Sequence, residues 1–375
     1  MRFFYLIFVI LDIFFCKNSQ SANILRFSNG LHPIYFDVSR DSPLDPISRK
    51  PMVSSMDCAS CHQQIFKNWN QSMHRQSFTN RIYQDSHKDE PLEWCLNCHA
   101  PLKTTSNVME EKRFLEEEGV SCITCHVRNQ KILTSKKKEG NSLTHSYTVV
   151  TVMNQEEFCG NCHQFNWPTR KSFINTNKNI VYSDIPMQNT LGEYKISKLK
   201  KTRNCQSCHL FRNSLKSHTF PGGHNKTYLE DSFFVTLERA SQDNFKLIIK
   251  TNEIAHSFPT GDLFRSMRIR ILTPKEYLIK EWILNKEFIP NEDNLDKPPK
   301  ILVADTSFPP PNENGESIKE FLFRYSHNET ELKFELYMDY LNATSHLHGS
   351  VPLSDSLLLF KKGELTIPPI SPNKG

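Results

Sequence analysis

Apolar material is scarce in this sequence. Hydrophobic residues fill 38 % of its 375 positions, and the mean hydropathy is −0.52. That is little for a chain this long that must bury its own core. Long apolar runs are missing as well. The longest, Phe3 to Phe15, has thirteen residues and is broken by Asp12. A membrane-spanning helix needs about 20, so this run excludes one. There is no strong charge of one sign: 46 Lys and Arg stand against 41 Asp and Glu, for a formal net charge of +5. No nucleic-acid-binding pattern is present, and the basic stretches at Lys136–Lys138 and Lys195–Arg203 read as solvated loops. Nor is there any cysteine beyond Cys208, so the last 167 residues hold no thiol chemistry of their own.

What is present is a motif. Ten of the eleven cysteines fall in five copies of Cys-x-x-Cys-His. They are Cys58, Cys61, His62; Cys95, Cys98, His99; Cys122, Cys125, His126; Cys159, Cys162, His163; and Cys205, Cys208, His209. The composition predicts about 0.01 such pentapeptides by chance, and the motif is the attachment site of c-type haem. The two thiols add across the haem vinyl groups, and the adjacent histidine is placed under the iron as its proximal ligand. Zinc would need cysteines grouped in fours, or a pair joined to a His-x(3–5)-His element. A disulfide framework would not require the histidine. Five odd-numbered pairs, each followed by His, fit haem c, five per chain. The haems also supply the missing apolar bulk: a motif about every 30 residues builds a domain around cofactors rather than around Leu and Val. Their propionates lower the net charge by roughly five units, so no acidic partner follows from the basic pI.

Arg2 followed by Phe3–Phe15 has the pattern of an export signal with a short h-region. Haem c is attached outside the bacterial cytoplasmic membrane, so the motifs and the signal agree. The eleventh cysteine, Cys16, ends that run. It is a candidate lipidation site, which would anchor the protein to a membrane face facing the periplasm or the cell surface. The alternative is a simple secretory signal cut after Ser21 or Ala22, with Cys16 discarded.

The organisation expected is a signal over 1–22, an extended tether or wrap over 23–56, a pentahaem cytochrome c domain over 57–229, and a β-sandwich over 230–375. The haem region is mostly helical or irregular, with helical patterns at Gln63–Phe78 and Glu110–Glu118, the second stopped by Gly119. Beyond it lie seven alternating runs rich in Ile, Phe, Leu and Tyr: Ser232–Leu237, Phe245–Thr251, Met267–Leu272, Tyr277–Leu284, Ile318–Tyr325, Leu332–Tyr337 and Ser356–Lys361. They predict an antiparallel sandwich and an α+β fold class. Phe308–Asn312 reads as a rigid proline loop.

Each proximal histidine leaves one axial position open, and its occupant separates electron transfer from catalysis. Ten other histidines are available. His74 follows His62 by twelve residues, in a segment whose helical spacing turns Ile65 and Trp69 toward a haem. His145 lies between two motifs. His218 and His224 flank Phe220-Pro221-Gly222-Gly223, where glycine permits close backbone approach. His256 sits in a loop between two predicted strands, from which it can reach a haem of the other domain. His74, His145, His218 and His256 are thus the distal candidates, with His87 and His224 behind them. His327, His346 and His348 read as surface histidines.

The pattern Cys58-x-x-Cys61-His62 with Ile65, Trp69, Ser72 and His74 resembles the haem domain of the cytochrome c-554 (cytochrome c-552/4-like) family. Gly119-Val120, His163-Gln164-Phe165 and Met187-Gln188-Asn189-Thr190 are similar too, and His256–Arg265 resembles a His-x-Phe-Pro-Thr-Gly…Arg segment of multihaem cytochromes. The resemblance covers about 57–272. It implies a periplasmic or surface cytochrome with closely spaced, mostly bis-histidine haems, and it makes His74 an axial ligand. The expected function is electron relay to redox partner proteins, either other cytochromes or a membrane quinol dehydrogenase, with no catalytic residue. The alternative is an oxidoreductase acting on a small nitrogen or sulfur species at one open haem, like hydroxylamine oxidoreductase or the pentahaem nitrite reductases. The latter usually carry Cys-x-x-Cys-Lys at the catalytic haem, and all five motifs here end in His.

Overall fold

The structure is a computed structural model, and it describes residues 36–37, 42–45, 49–89, 91–104, 108–136, 145–174, 180–210, 218–326, 328–341 and 349–369. The signal segment with Cys16, most of the tether, and His327, His346 and His348 lie outside the described residues. Among the described residues no helix is long and apolar enough to cross a membrane.

The described residues up to 210 form short helices joined by small strands. The helices include Gln63–Asn70, Arg81–Asp89, Met109–Glu117, Glu156–His163 and Thr190–Ile196. The strands are β1 (Phe36–Asp37), β2 (Leu102–Lys103), β3 (Val127–Arg128), β4 (Lys131–Thr134), β5 (Thr148–Val149), β6 (Gln164–Pro168) and β7 (Tyr182–Asn189). Buried apolar clusters here are small: Leu102, Leu115, Ile123 and Val127 form one, Leu133, Val150 and Met153 another. Core-poor packing of this kind suits a unit organised around something other than its own side chains. The helix expected over Gln63–Phe78 stops at Asn70. Ser72 is buried and accepts from the Arg75 amide, a local bond that competes with helix continuation. The end of the predicted tether is docked rather than free. Met52, Ser54 and Ser55 are buried, and the Ser55 amide donates to Glu118 Oε2 at 2.9 Å.

The C-terminal part is antiparallel β. Its strands are β8 (Phe233–Arg239), β9 (Asn244–Asn252), β10 (Ser266–Leu272), β11 (Leu278–Leu284), β12 (Lys286–Pro290), β13 (Lys300–Asp305), β14 (Glu316–Arg324), β15 (Glu331–Asp339) and β16 (Leu357–Thr366). One sheet has the order β14-β9-β8, a second β11-β10-β15-β16, and β12-β13 make a separate hairpin. Strand alternation places every second residue on one face. Phe245, Leu247 and Ile249 of β9 thereby meet Met267, Ile269 and Ile271 of β10 and Leu332, Phe334 and Leu336 of β15 in a single buried cluster. Leu229, on the short helix Lys226–Glu230, belongs to that cluster, so the β unit recruits residues from before position 230. The helices with these antiparallel sheets make the fold α+β.

The two parts meet along a polar seam. Glu193, 5 % exposed, accepts from Lys286 Nζ at 2.9 Å and Thr260 Oγ1 at 2.6 Å. Thr190 Oγ1 lies 3.0 Å from Thr260 Oγ1. The basic stretch from Lys195 to Arg203 is likewise not a free solvated loop. Lys195 pairs with Glu157, Lys198 with Glu313 and Arg203 with Glu253, and the last two cross to the β unit. Each pair is exposed and worth little in stability, but together they fix which faces meet.

Candidate haem sites

Each Cys-x-x-Cys-His sits at a short helix, which explains its chemistry. The helices are Ser55–Ala59, Leu96–His99, Cys122–His126, Glu156–His163 and Cys205–His209. Residues three and four apart share a helix face, so one turn presents two thiols and an imidazole to the same side. Three of these helices start at capping boxes, built by Ser54 with Asp57, Ser121 with Thr124 and Asn204 with Ser207. The caps hold helices too short to persist alone. All ten motif cysteines are free thiols.

The motifs interlock out of sequence order. The Cys58 thiol is a hydrogen-bond neighbour of Cys122, Cys98 of Cys162, and Cys159 of Cys205, and the charges of Cys125 and Cys162 act on each other. The first motif therefore adjoins the third, the third the fourth, and the fourth both the second and the fifth. Burial pushes the Cys125 thiol up to about 12.

The distal candidates fall into place around these turns. The ring centroids of His62 and His145 are 6.3 Å apart, those of His163 and His74 6.3 Å, those of His126 and His218 6.2 Å, and those of His209 and His256 6.3 Å. Two imidazoles binding one metal from opposite faces through bonds of about 2.0 Å hold their centroids roughly 6.3 Å apart. Four proximal histidines thus each face one of the four leading distal candidates at the spacing an intervening iron requires. The Nδ1 atoms turn away toward carbonyls: His126 to Leu133 O at 2.9 Å, His209 to Pro221 O at 2.6 Å and His256 to Ser257 O at 2.8 Å. A carbonyl there fixes the tautomer with Nε2 bare. Burial, aided by neighbouring histidines, lowers His74 to about 4 and His163 to about 3. Both are thereby kept neutral, the form that binds metal. The free thiols, their placement and these spacings fit haem c.

His99 differs. Its Nδ1 contacts Ser77 O at 2.9 Å, and Tyr83 stacks on the ring at 4.1 Å. Among the described residues no histidine ring faces it at the spacing of the other four. His87 stacks on Tyr83 at 5.3 Å, and His224 stacks on Tyr340 at 4.0 Å. Neither of these two candidates is brought against a proximal ring.

The sequence reading missed several supports. Gln188 places its side-chain amide 3.2 Å from His163 Nδ1. His256 is aimed by its loop, because Phe258 is buried against Phe233 and exchanges backbone hydrogen bonds of 3.0 and 2.7 Å with Phe308. The proline loop at Phe308 thus serves as the loop's backstop. Gly119, at φ +62°, lets the chain pass over the His74 turn, where Val120 N donates to His74 O at 2.9 Å. A Cβ there would meet His74 O and Arg75 O, both at 2.7 Å. Gly119→Ala is therefore expected to destabilise the fold by about 2 kcal/mol or more and to disturb the His74–His163 pair selectively. Denaturant unfolding and the spectrum of the low-spin haems check both effects.

Five attachment turns on short helices, four of them faced by a second imidazole, define the class: a multihaem c-type cytochrome. Residues 57–127 match the family model of cytochrome c554 and c-prime. The structure is similar to that of a penta-heme cytochrome c552 from Thermochromatium tepidum, with a TM-score of 0.64 and 17% identity over 84% of this chain and 99% of that one. At that identity the likeness is one of fold. A beta-glucuronidase from Bifidobacterium dentium, complexed with coumarin-3-O-glucuronide, is similar at a TM-score of only 0.19, with 11% identity over 36% of this chain and 17% of that one. That degree of likeness carries no argument. No curated protein matches the chain in sequence.

Proposed function

We propose that this protein is an exported electron-transfer cytochrome that holds five haems c and relays single electrons among them. One observation carries the reading: four proximal histidines each face a second imidazole at 6.2–6.3 Å. Two strong axial ligands leave an iron with little geometric change between redox states and no room for substrate. Haem c supplies a one-electron ferric–ferrous couple when bound. The chain's residues hold the axial nitrogens, exclude water by burial, and pack the attachment cysteines of different motifs together. On this reading the fourth site is a junction, with the third, second and fifth around it and the first beyond the third. The two antiparallel sheets form a sandwich whose His256 loop completes the fifth site. Export rests on the sequence pattern of Phe3–Phe15, and lipidation at Cys16 is the anchored version of it. Redox partner proteins are the expected partners.

A second reading is favoured at one site only. No histidine ring among the described residues faces His99, so the haem at Cys95 and Cys98 is the place where a small nitrogen or sulfur species would bind. A pyridine haemochrome assay of the holoprotein is expected to give about five haems per chain, and two or fewer would sink the proposal. The ferric electron paramagnetic resonance spectrum is expected to contain four low-spin haems. A high-spin signal that shifts with nitrite or hydroxylamine would assign catalysis to the second site, whereas five low-spin haems would leave a pure relay.

A further inference from the structure

Several half-buried cations of the β unit have carboxylate partners. Arg268 pairs with Asp339 at 2.6 Å, Arg270 with Glu281 at 2.7 Å and Lys286 with Glu193 at 2.9 Å. Arg265 has none. It is half-buried at the entrance to β10, and among the described residues no carboxylate comes within ion-pair distance of it. Its Nη1 donates to Thr260 O at 3.3 Å. Asp262, the nearest acid in sequence, turns its Oδ1 to the Phe264 amide at 2.9 Å instead. A guanidinium withdrawn from water without an anion is costly, and its planar fork is matched to a carboxylate or oxyanion.

Space has been made for this group. Gly261, at φ +89°, lies so close that a Cβ would stand 2.9 Å from Arg265 Nη1, and the Gly223 position looks onto the same atom at 3.9 Å. The Gln188 amide nitrogen is 3.8 Å from the Gly261 Cβ position and 3.2 Å from His163 Nδ1. The guanidinium therefore stands beside the fourth motif, and its charge reaches His99 of the second motif, whose neighbours also include Asp262 and His87. Beside Gly223 stand Tyr340, whose hydroxyl donates to Gly223 O, and His224, stacked on the Tyr340 ring. Two haems bound at these motifs would bring four propionates into a region where this cation has no acid.

We propose that Arg265 binds a haem propionate of the pair attached at Cys95/Cys98 and Cys159/Cys162, tying the β unit to the haem unit and raising that haem's potential. The inference rests on the haem reading above. A cation beside the propionate disfavours the ferric state, so its removal lowers the potential. It also lets the propionate take up a proton near neutral pH.

The test is a spectroelectrochemical titration of purified holoprotein carrying Arg265→Gln or Arg265→Lys, with haem content measured on the same samples. Arg265→Gln is expected to shift the ferric–ferrous balance of one haem about tenfold toward ferric, 59 mV for one electron. That midpoint should also become dependent on pH between about 6 and 8. Arg265→Lys should return most of the shift. Should the Gln variant not accumulate, Gly261→Ala, which displaces the guanidinium, carries the same expectation. Five haems, each with a ferric–ferrous balance within twofold of wild type, would overturn the proposal and leave the haem reading intact. Unchanged potentials with weakened nitrite binding would overturn it too, and would assign Arg265 to an external oxyanion. A wild-type protein without haem at these motifs would defeat the underlying reading itself.

Discussion

Replacing His256 by alanine is expected to turn one ferric haem from low-spin to high-spin and to leave the others as they are. The His256 ring lies 6.3 Å from that of His209, parallel to within 10°. It is the one distal candidate supplied by the β unit. Its loop is held by Phe258 and Phe308, which belong to the hydrophobic cluster of the two sheets. On the proposed reading the substitution removes a ligand while the sheets that position it persist. His256→Met offers sulfur in place of nitrogen. It should keep the iron low-spin and raise that haem's potential, because His/Met ligation lies above bis-histidine within the roughly 0.8 V that axial ligands span. Electron paramagnetic resonance and a redox titration of both variants read the two effects. If the spectra of all haems stay unchanged, the β unit contributes no ligand and its loop is only packing.

The attachment chemistry was legible because it is local. Two thiols and an imidazole within five residues act on one cofactor, so spacing alone carries the meaning. The strands of the β unit were legible for a similar reason: Phe245, Leu247, Ile249 and Thr251 alternate into the interior along β9, and alternation is written into the chain. The hairpin β12–β13 escaped notice because it lacks that signal. Phe288 faces Trp167 at 6.2 Å, but most hairpin side chains are exposed or half-exposed, and Pro290 ends β12. Which proximal ring each distal candidate meets could not be read. His74 lies twelve residues from His62 yet faces His163, and which ring meets which is decided by long-range packing. The same holds for Arg265 and Glu193, whose importance lies in the partners that surround them or are missing. Gly119 shows the intermediate case. A helix stop was readable there, while the turn at His74 that needs the glycine was not.

The seam between the two parts yields the second large effect. Glu193 is buried on the helix Thr190–Ile196, and its two oxygens are divided between Lys286 Nζ and Thr260 Oγ1. Glu193→Ala leaves Lys286, whose side chain is 19 % exposed, as a desolvated cation whose other carboxylate, Asp305, is 3.9 Å away. It also strips Thr260 of its carboxylate acceptor and leaves it only the Thr190 hydroxyl at 3.0 Å. Breaking a buried pair from one side costs about 3–5 kcal/mol. Thr260 lies four residues after His256, so the loss should also loosen the loop that brings His256 to His209. The expected outcome is a lower denaturation midpoint together with a weakened low-spin signal from the fifth haem, the other three paired haems keeping theirs. Removing both charges with Glu193→Leu and Lys286→Met separates the causes. An apolar pair of similar volume is often neutral or better, so the double variant should recover much of the lost stability. Its His256 signal should remain weakened, because Thr260 still lacks its charged acceptor. A double variant as unstable as Glu193→Ala would mean that the carboxylate, rather than the stranded lysine, holds the seam through Thr260 alone.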